Sequence, residues 1–211
     1  LPLLLSDLSS IQKEGEIIIV DSGSEDKTID IANIYGAKVY TSKERNRGLQ
    51  LDMGAKNSEG DWFIFLHADT RLTHNWLTKI RSVLEGDKDY IYFFKFKIND
   101  EKIIYRILES LVNLRSKYLK KPYGDQGLII HRSTYFKNNG FRKIPLMEDV
   151  DFLRRLNNKS YIKQINSPIF ISSRKWERTN IFLQALKNWQ FRKRWLKGES
   201  LKSIYSDYYK N

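Results

Sequence analysis

The chain has 211 residues, of which 41% are hydrophobic and 29% charged, values typical of one soluble globular domain with at most an appended subdomain. It contains no cysteine, which excludes disulfides, thiolate metal sites and cysteine nucleophiles and suits a reducing, cytoplasmic location. No segment approaches the roughly 20 apolar residues that cross a bilayer, so an integral membrane protein is not expected.

The formal net charge of +12 is unevenly distributed. Residues 1–60 carry 7 Lys or Arg and 10 Asp or Glu, whereas residues 172–211 carry 10 Lys or Arg, 3 Asp or Glu and eight aromatic residues. A basic, aromatic C-terminal segment indicates a polyanionic partner, such as a membrane surface, a phosphorylated lipid or a nucleic acid. The alternative is a solvated helix face. No nucleic-acid-binding motif accompanies the charge, so nucleic acid is not the expected partner.

Short apolar strands alternate with helices in the first half of the chain, which predicts βαβ units and a mostly parallel sheet. The helices are predicted over Leu3–Ile11, Thr28–Tyr35, Gly48–Lys56 and Asn75–Leu84, and the strands over Glu16–Val20, Lys38–Tyr40 and Trp62–Leu66.

The second half is less regular. Strands are predicted over Tyr90–Ile98, Leu128–His131 and Tyr161–Ile165, and helices over Ile103–Tyr118, Pro145–Leu156 and Ile181–Leu196. The loop Tyr123–Gly127 separates a helix from an apolar strand.

Residues 62–70 join an apolar run to a polar cluster. Trp62–Leu66 is typical of a strand buried on both faces, and His67 and Asp69 follow it directly. Ligands bind beyond the carboxyl ends of strands in open α/β sheets, and both residue types bind divalent cations. The segment therefore indicates a metal site. The alternative is a turn in which Asp69 and Thr70 cap the next helix.

Acidic side chains gather at three predicted strand ends or loop-to-helix junctions. Helix capping explains each cluster alone, but strand ends of a parallel sheet share one edge, so we expect the three clusters to converge on a functional site. The clusters are Asp21 with Asp26, His67 with Asp69, and Glu148 with Asp149 and Asp151.

Four segments, in this order, resemble the motifs of family 2 glycosyltransferases, which use nucleotide-sugar donors. Ile17–Thr28 is similar to the family's nucleotide-binding strand and loop, and Asn46–Ala55 to its second nucleotide-contacting segment. His67–Thr70 resembles the D-x-D motif, and Met147–Asp149 the acidic acceptor-side motif.

The resemblance covers about residues 1–178 and implies an α/β, GT-A (Rossmann-like) domain with a mostly parallel sheet flanked by helices. Residues 179–211 then form a basic, aromatic helical extension. The loop Gly124–Gly127 and the run Arg174–Trp176 also fit a branch of small enzymes in this family.

The resemblance assigns a role to each candidate site residue. The donor-nucleotide residues are Asp21, Ser22, Gly23, Arg47 and Gln50; the metal ligands, for Mg²⁺ or Mn²⁺, are Asp69 and His67; the catalytic base is Asp149, or Glu148 beside it; and the acceptor or sugar pocket comprises Gly124, Asp125, Gln126, Arg174 and Trp176.

These roles imply an inverting, metal-assisted hexosyltransferase that moves a sugar from a UDP- or GDP-sugar to an acceptor hydroxyl. A lipid-linked acceptor and a peripheral position at the inner face of the membrane would suit the basic extension. The alternative function is a degenerate, non-catalytic basic module that binds anionic lipid or nucleic acid.

Two features depart from the family pattern. His67 stands where the family usually has an acid, so metal affinity is expected to be lower and more sensitive to pH. The family's first strand is expected ahead of Leu1, which lies where the first helix normally starts.

The haloacid-dehalogenase phosphatases are a second enzyme class with a similar motif, and membership in that class is not expected. The segment before Thr70 is also similar to the haloacid-dehalogenase motif, but the two aspartates of that motif would fall at Leu66 and Ala68.

The predicted C-terminal helix has an apolar face and basic residues elsewhere. Such a face can lie in a membrane interface or pack on the core, and core packing with a basic outer face is the expectation. The face comprises Phe182, Ala185, Leu186, Trp189 and Leu196.

Overall fold

The computed structural model describes residues 1–11, 14–156, 161–173 and 181–209, with side chains described from Leu183 onward in the last of these ranges. The strands are β1 (Ile18–Asp21), β2 (Lys38–Thr41), β3 (Trp62–Phe65), β4 (Thr70–Leu72), β5 (Ile91–Ile98), β6 (Leu128–His131) and β7 (Ile162–Ile171). The α-helices are α1 (Pro2–Leu8), α2 (Thr28–Ile34), α3 (Arg47–Lys56), α4 (Trp76–Leu84), α5 (Ile103–Leu119), α6 (Arg132–Lys137), α7 (Glu148–Arg155), α8 (Ile181–Leu196) and α9 (Leu201–Tyr209).

The strands form a parallel pair, β1 with β2, and a five-stranded sheet in the order β3-β6-β5-β7-β4. In the larger sheet β5 and β7 are parallel, and the other neighbouring pairs are antiparallel. The α/β class is confirmed, but the larger sheet is mixed rather than mostly parallel. A strand buried on both faces has the same apolar pattern in either direction, so the sequence does not reveal its direction.

The core lies on both faces of β5. On one face Phe93 packs in a cluster with Tyr135 of α6 and Phe152 of α7. On the other face Phe94 packs in a cluster with Trp76 and Ile80 of α4. The aromatic run in this strand is therefore core on both sides, which holds the ends of its neighbouring strands in place.

Helix α3 connects the parallel pair to the segment that precedes α7. The side-chain amide of Gln50 donates to the Val20 carbonyl at 2.9 Å, and the backbone N–H of Gly48 donates to the Ile144 carbonyl at 3.1 Å. A Cβ atom on Gly48 would lie 2.0 Å from the Arg142 carbonyl oxygen, so only glycine allows this approach.

The C-terminal helices pack on the segment that precedes α7. Ile204 of α9 is fully buried with Leu146 and Met147, and Phe191 and Trp195 of α8 pack on the same cluster. The sequence predicted that another face of α8 packs on the core, the face of Phe182, Ala185, Leu186, Trp189 and Leu196. The Phe182 side chain lies outside the described residues, and for the other four the prediction is wrong. These residues are exposed, and the exposed fractions of the large ones among them are 48%, 50% and 52% for Leu186, Trp189 and Leu196.

Other differences concern short or extended elements. The strand predicted to end at Ile165 continues to Ile171, and the first helix ends at Leu8 before a 3₁₀ turn. Strand β4 and helix α6 have 3 and 6 residues, which is too short for a periodic pattern to show. Among the described residues no helix is both long and apolar enough to cross a bilayer.

Candidate active site

A tight turn, His67–Thr70, follows the carboxyl end of β3. The backbone N–H and the hydroxyl of Thr70 both donate to the His67 carbonyl, at 3.1 and 2.7 Å. Thr70 then begins β4, and the next helix begins at Trp76. The interpretation of Asp69 and Thr70 as a helix cap is therefore wrong. Asp69 is exposed at this edge of the sheet.

Gly124 lies between His67 and Asp149. Its backbone N–H donates to Asp149 Oδ2 at 2.6 Å, and a Cβ atom at this position would lie 3.1 Å from His67 Nε2. The fold thus brings together the end of β3, the Gly124–Gln126 turn and the start of α7. These three segments line a small cavity of about 30 Å³.

His67 faces this cavity as a neutral group. Burial lowers the pKa of its imidazole, and the positive charge of Arg47 lowers it further, against the opposing effect of nearby aspartates. A neutral imidazole has a free nitrogen lone pair, which is the form that binds metal ions or accepts a hydrogen bond.

The acidic pair at the start of α7 divides into two environments. Glu148 is 1% exposed, and its Oε1 accepts hydrogen bonds from Arg47 Nε at 2.8 Å and Nη2 at 2.6 Å. Burial raises the pKa of Glu148 to about 7, and the charge of Asp149 adds to this effect. Asp149 is partly exposed, and two backbone N–H groups, those of Gly124 and Val150, orient its carboxylate.

The residue before this pair has an uncommon backbone conformation. Met147 has a φ angle of +64°, in the left-handed region that residues other than glycine rarely adopt. Such conformations cluster at functional sites, where surrounding contacts hold them. Here Met147 is buried against the C-terminal helices, so these helices support the start of α7.

Gln126 anchors the pocket loop instead of lining it, which differs from its predicted role. It is fully buried, and its Oε1 accepts from the Ser116 hydroxyl at 2.6 Å and from the Tyr123 backbone N–H at 3.3 Å. These bonds hold the Gly124–Gln126 turn against α5, so Gln126 positions Gly124 and Asp125.

The loop after β1 folds around Asp21. The Asp21 carboxylate accepts from the backbone N–H groups of Gly23 and Ser24 at 2.8 and 2.9 Å. The Ser24 hydroxyl also donates to it, and this bond is the main cause of its lowered pKa. Asp21 is therefore a buried, ionised acceptor that fixes the loop. The cluster of Asp21 and Asp26 thus shapes this loop. Asp26 accepts a hydrogen bond from Thr28 N at 3.0 Å, but the N-cap of α2 is Lys27, so Asp26 is not the helix cap that the alternative explanation predicted.

An open depression of about 490 Å³ lies over this loop. Residues 22–26 line it together with Arg45, a cation that sequence reasoning did not identify. Ser22 and Gly23, both predicted as donor-nucleotide residues, are among the residues that line this depression. Gln50, predicted beside them, instead ties α3 to β1, and Asp151 pairs with Arg155 at 2.8 Å inside α7.

Two further arginines stand beside the pocket loop and were not predicted. The Cζ atom of Arg115, on α5, lies 3.7 Å from the centre of the Tyr123 ring, and that of Arg192, on α8, lies 4.4 Å from it. Arginine at helical spacing in a basic segment resembles ordinary surface charge, so the sequence offers no signal that distinguishes these two.

The family model for glycosyl transferase family 2 matches residues 3–149 of the chain. The chain belongs to this family.

The chain has a curated relative by sequence and solved relatives by fold. An uncharacterized glycosyltransferase of Rickettsia typhi is 36% identical over 101 residues, which are 46% of this chain and 32% of that protein. Staphylococcus aureus TarS in complex with UDP has a TM-score of 0.61 at 20% identity, over 81% of this chain and 55% of that one.

A third relative is glucosyl-3-phosphoglycerate synthase of Mycobacterium tuberculosis, solved with Mn²⁺, UDP and glucosyl-3-phosphoglycerate. It has a TM-score of 0.55 at 18% identity, over 78% of this chain and 63% of that one. The GT-A fold is thereby shown. The match to the Rickettsia relative spans about a third of that protein's length.

The resemblance to the family implies metal ligands at His67 and Asp69. Among the described residues no three His, Cys, Asp or Glu side chains group closely enough to hold a metal ion. His67 and Asp69 nevertheless supply an imidazole and a carboxylate, which suit a cation that takes its remaining ligands from a bound diphosphate and water. The residues present fit that arrangement. Arg174 and Trp176, predicted in the acceptor pocket, lie outside the described residues.

Proposed function

We propose that this glycosyltransferase transfers a sugar from a nucleoside diphosphate sugar to an acceptor hydroxyl, with inversion at the anomeric carbon. The observation that carries the proposal is the meeting of His67, Gly124 and Asp149 around one cavity. The Asp149 carboxylate lies at the end of β3, and Asp69 is exposed at the same edge of the sheet. A UDP-sugar is the donor that the similar structures favour, because UDP is bound in structures with the same fold, and a GDP-sugar is the alternative.

Asp149 is proposed as the general base, with Glu148 as a positioning residue. Glu148 is enclosed and held by Arg47, whereas Asp149 is partly exposed and oriented by two N–H groups. The Asp149 carboxylate takes the proton of the acceptor hydroxyl, whose oxygen forms a bond to the anomeric carbon as the bond to the diphosphate oxygen breaks. One displacement with one base inverts the configuration.

Asp69 and His67 are proposed to hold Mg²⁺ or Mn²⁺ together with the donor diphosphate. The cation, when bound, neutralises charge that develops on the leaving diphosphate. Ser22, Gly23 and Asp21 are proposed to form the nucleotide side of the donor site, with Arg45 at its edge. Arg47, which the resemblance placed among the donor-nucleotide residues, instead forms an ion pair with Glu148.

Slow hydrolysis of the donor tests this mechanism without knowledge of the acceptor. UDP-glucose or GDP-mannose is incubated with the full chain and a divalent cation, and proton NMR follows the sugar released. Release of β-glucose first from UDP-glucose is expected, and the rate should fall about 100-fold or more in Asp149→Asn. Release of α-glucose first, or an unchanged rate in Asp149→Asn with UDP still bound, would contradict the proposed mechanism.

Peripheral contact with an anionic membrane is proposed as well, through two exposed apolar stripes. The stripe on α8 comprises Leu183, Leu186 and Trp189, and that on α5 comprises Ile103, Ile107, Leu111, Leu114 and Tyr118, each at least 48% exposed. Lys102, Lys117, Lys120 and Lys121 lie on or next to α5 and suit an anionic surface. A lipid-linked acceptor would then be presented beside the pocket loop.

Vesicle co-sedimentation tests this contact. The chain should sediment with vesicles that contain phosphatidylglycerol and remain soluble with pure phosphatidylcholine. Leu111→Ser with Trp189→Ser should reduce binding, whereas Leu3→Ser, another exposed apolar position, should not. Equal binding by all variants would contradict the stripes as the contact, and a concentration-dependent dimer in solution would assign them to a second copy of the chain.

A further inference from the structure

Tyr123 brings two guanidinium groups together next to the proposed base. Arg115 comes from α5, Arg192 from α8, and both lie over the Tyr123 ring at 3.7 and 4.4 Å from its centre. Tyr123 directly precedes Gly124, whose N–H orients Asp149. Helix α8 and the segment formed by α5 and the loop that follows it, which are distant in sequence, thus place two positive charges beside the proposed base.

Within the described part of the chain, the two charges have no counter-ion in ion-pair contact. Among the residues that the structure describes, neither arginine has a carboxylate oxygen within the 4 Å of an ion pair. The Nη2 of Arg115 lies 3.4 Å from two neutral oxygens, Ser116 Oγ and Gln126 Oε1. Its Nε is buried and has no hydrogen-bond partner among the described residues. Unpaired donors on a buried cation are costly.

The charges around Arg115 act on its pKa in opposite directions. Burial lowers the pKa of Arg115, and the charge of Arg192 lowers it as well, while Tyr123, Asp125 and Asp149 act in the opposite direction. An anion bound beside these arginines would accept a hydrogen bond from the unpartnered Nε of Arg115 and offset the repulsion between the two like charges. Arginine forks match the oxygens of phosphate and carboxylate groups.

We propose that Arg115 and Arg192 bind a phosphate or carboxylate group of the acceptor, with Tyr123 as the surface that holds both guanidinium groups. This inference rests on the proposed transferase function. The arginine pair is assigned to the acceptor rather than to the donor, because it lies beside Tyr123 and Gly124, on the loop that orients Asp149. The open depression over residues 22–26, where the donor is proposed to bind, has its own cation, Arg45. The acceptor class is therefore an alcohol that carries an anionic group, a lipid phosphate included.

Calorimetric titration with inorganic phosphate tests the pair, in the presence of saturating UDP and Mg²⁺ so that the donor site is filled. The double variant Arg115→Gln/Arg192→Gln should weaken phosphate binding by about tenfold or more, because each arginine contributes charged hydrogen bonds. The control Lys117→Gln/Lys187→Gln removes the same charge from exposed positions of the same two helices and should change binding by less than about twofold.

The outcomes separate this proposal from the proposed function. Absence of phosphate binding to the wild type, or an equal loss in both double variants, would overturn the arginine subsite. Loss of UDP binding together with phosphate binding in the arginine variant would assign the pair to the donor diphosphate and overturn the acceptor role. Failure of the wild type to bind UDP would contradict the transferase function. Phosphate titrations without UDP would then test the arginine subsite by the same comparison of the two double variants.

Folding and the phosphate source are controlled separately. Arg192→Gln alone, at a partly exposed position of α8, keeps the test valid if the double variant fails to fold. Arg192→Lys should restore part of the phosphate affinity. Vesicles that contain phosphatidic acid, compared with free phosphate, show whether the anionic group is preferred on a lipid.

Discussion

Glu148 and Asp149 are adjacent in sequence but have different surroundings. Glu148 is buried and paired with Arg47, whereas Asp149 is partly exposed and oriented by the backbone N–H of Gly124. The sequence indicates that one of them is the base, because both occupy the acceptor-side motif. It cannot rank them, since the ranking depends on Arg47 and Gly124, which lie far away in sequence. The arginine pair over Tyr123 was missed for the same reason.

Glu16 allows a residue-scale test of electrostatics. Partial burial raises the pKa of its carboxyl. Hydrogen bonds from the Lys38 ammonium group, the Glu59 backbone N–H and the Ser58 hydroxyl lower this pKa more, to about 2. Ionised Glu16 therefore stabilises the fold above its ordinary pKa of 4.5, and this contribution is lost as the pH falls towards 2. Glu16→Gln should reduce the free energy of unfolding by about 1–2 kcal/mol at neutral pH, and by progressively less below the ordinary pKa.

Urea unfolding over this pH range measures the difference. The control is Glu59→Gln, a change at a side chain that is 87% exposed, which should have little effect at any pH. A difference between Glu16→Gln and the wild type that does not vary with pH would contradict the assignment.

At the scale of elements, helix α3 was predicted to within one residue of its bounds, because helical spacing and flanking polar residues mark it. The close contact that fixes its position was not predictable. It depends on the segment Arg142–Ile144, which only the fold brings opposite Gly48. Short elements such as β4 were missed because three residues show no period.

Two glycines of α3 provide a matched pair of variants. Gly48→Ala places a Cβ atom 2.0 Å from a backbone oxygen and should destabilise the protein by about 1–3 kcal/mol or more. Gly54→Ala places its Cβ atom at ordinary distances of 3.6 and 3.8 Å from side chains of β1. It should be neutral or stabilise the fold by up to about 1 kcal/mol, since alanine favours helix. Denaturant unfolding compares them, and equal stabilities would contradict the close approach at Gly48.

At the scale of the whole molecule, the α/β class and the family followed from the order of motifs along the chain. The sheet's direction pattern and the role of the last helices did not. The predicted domain boundary at residue 178 lies outside the described residues. Helices α8 and α9, predicted as an extension, pack on Leu146 and Met147 beside the candidate site. Tertiary contacts between distant segments decide both features.

The proposed donor site extends from the loop after β1 to the edge of β3 and binds a nucleoside diphosphate with a divalent cation. Thermal unfolding of the full chain with UDP and Mn²⁺ measures it directly. Ligand at about 100 times its Kd should add about 2.7 kcal/mol of stability and raise the Tm by several degrees. The shift should disappear with EDTA and in Asp69→Ala, and persist in Asp89→Ala, a change at another exposed aspartate. No shift with UDP or GDP in the presence of Mn²⁺, or an equal shift in Asp69→Ala, would contradict the proposed donor site.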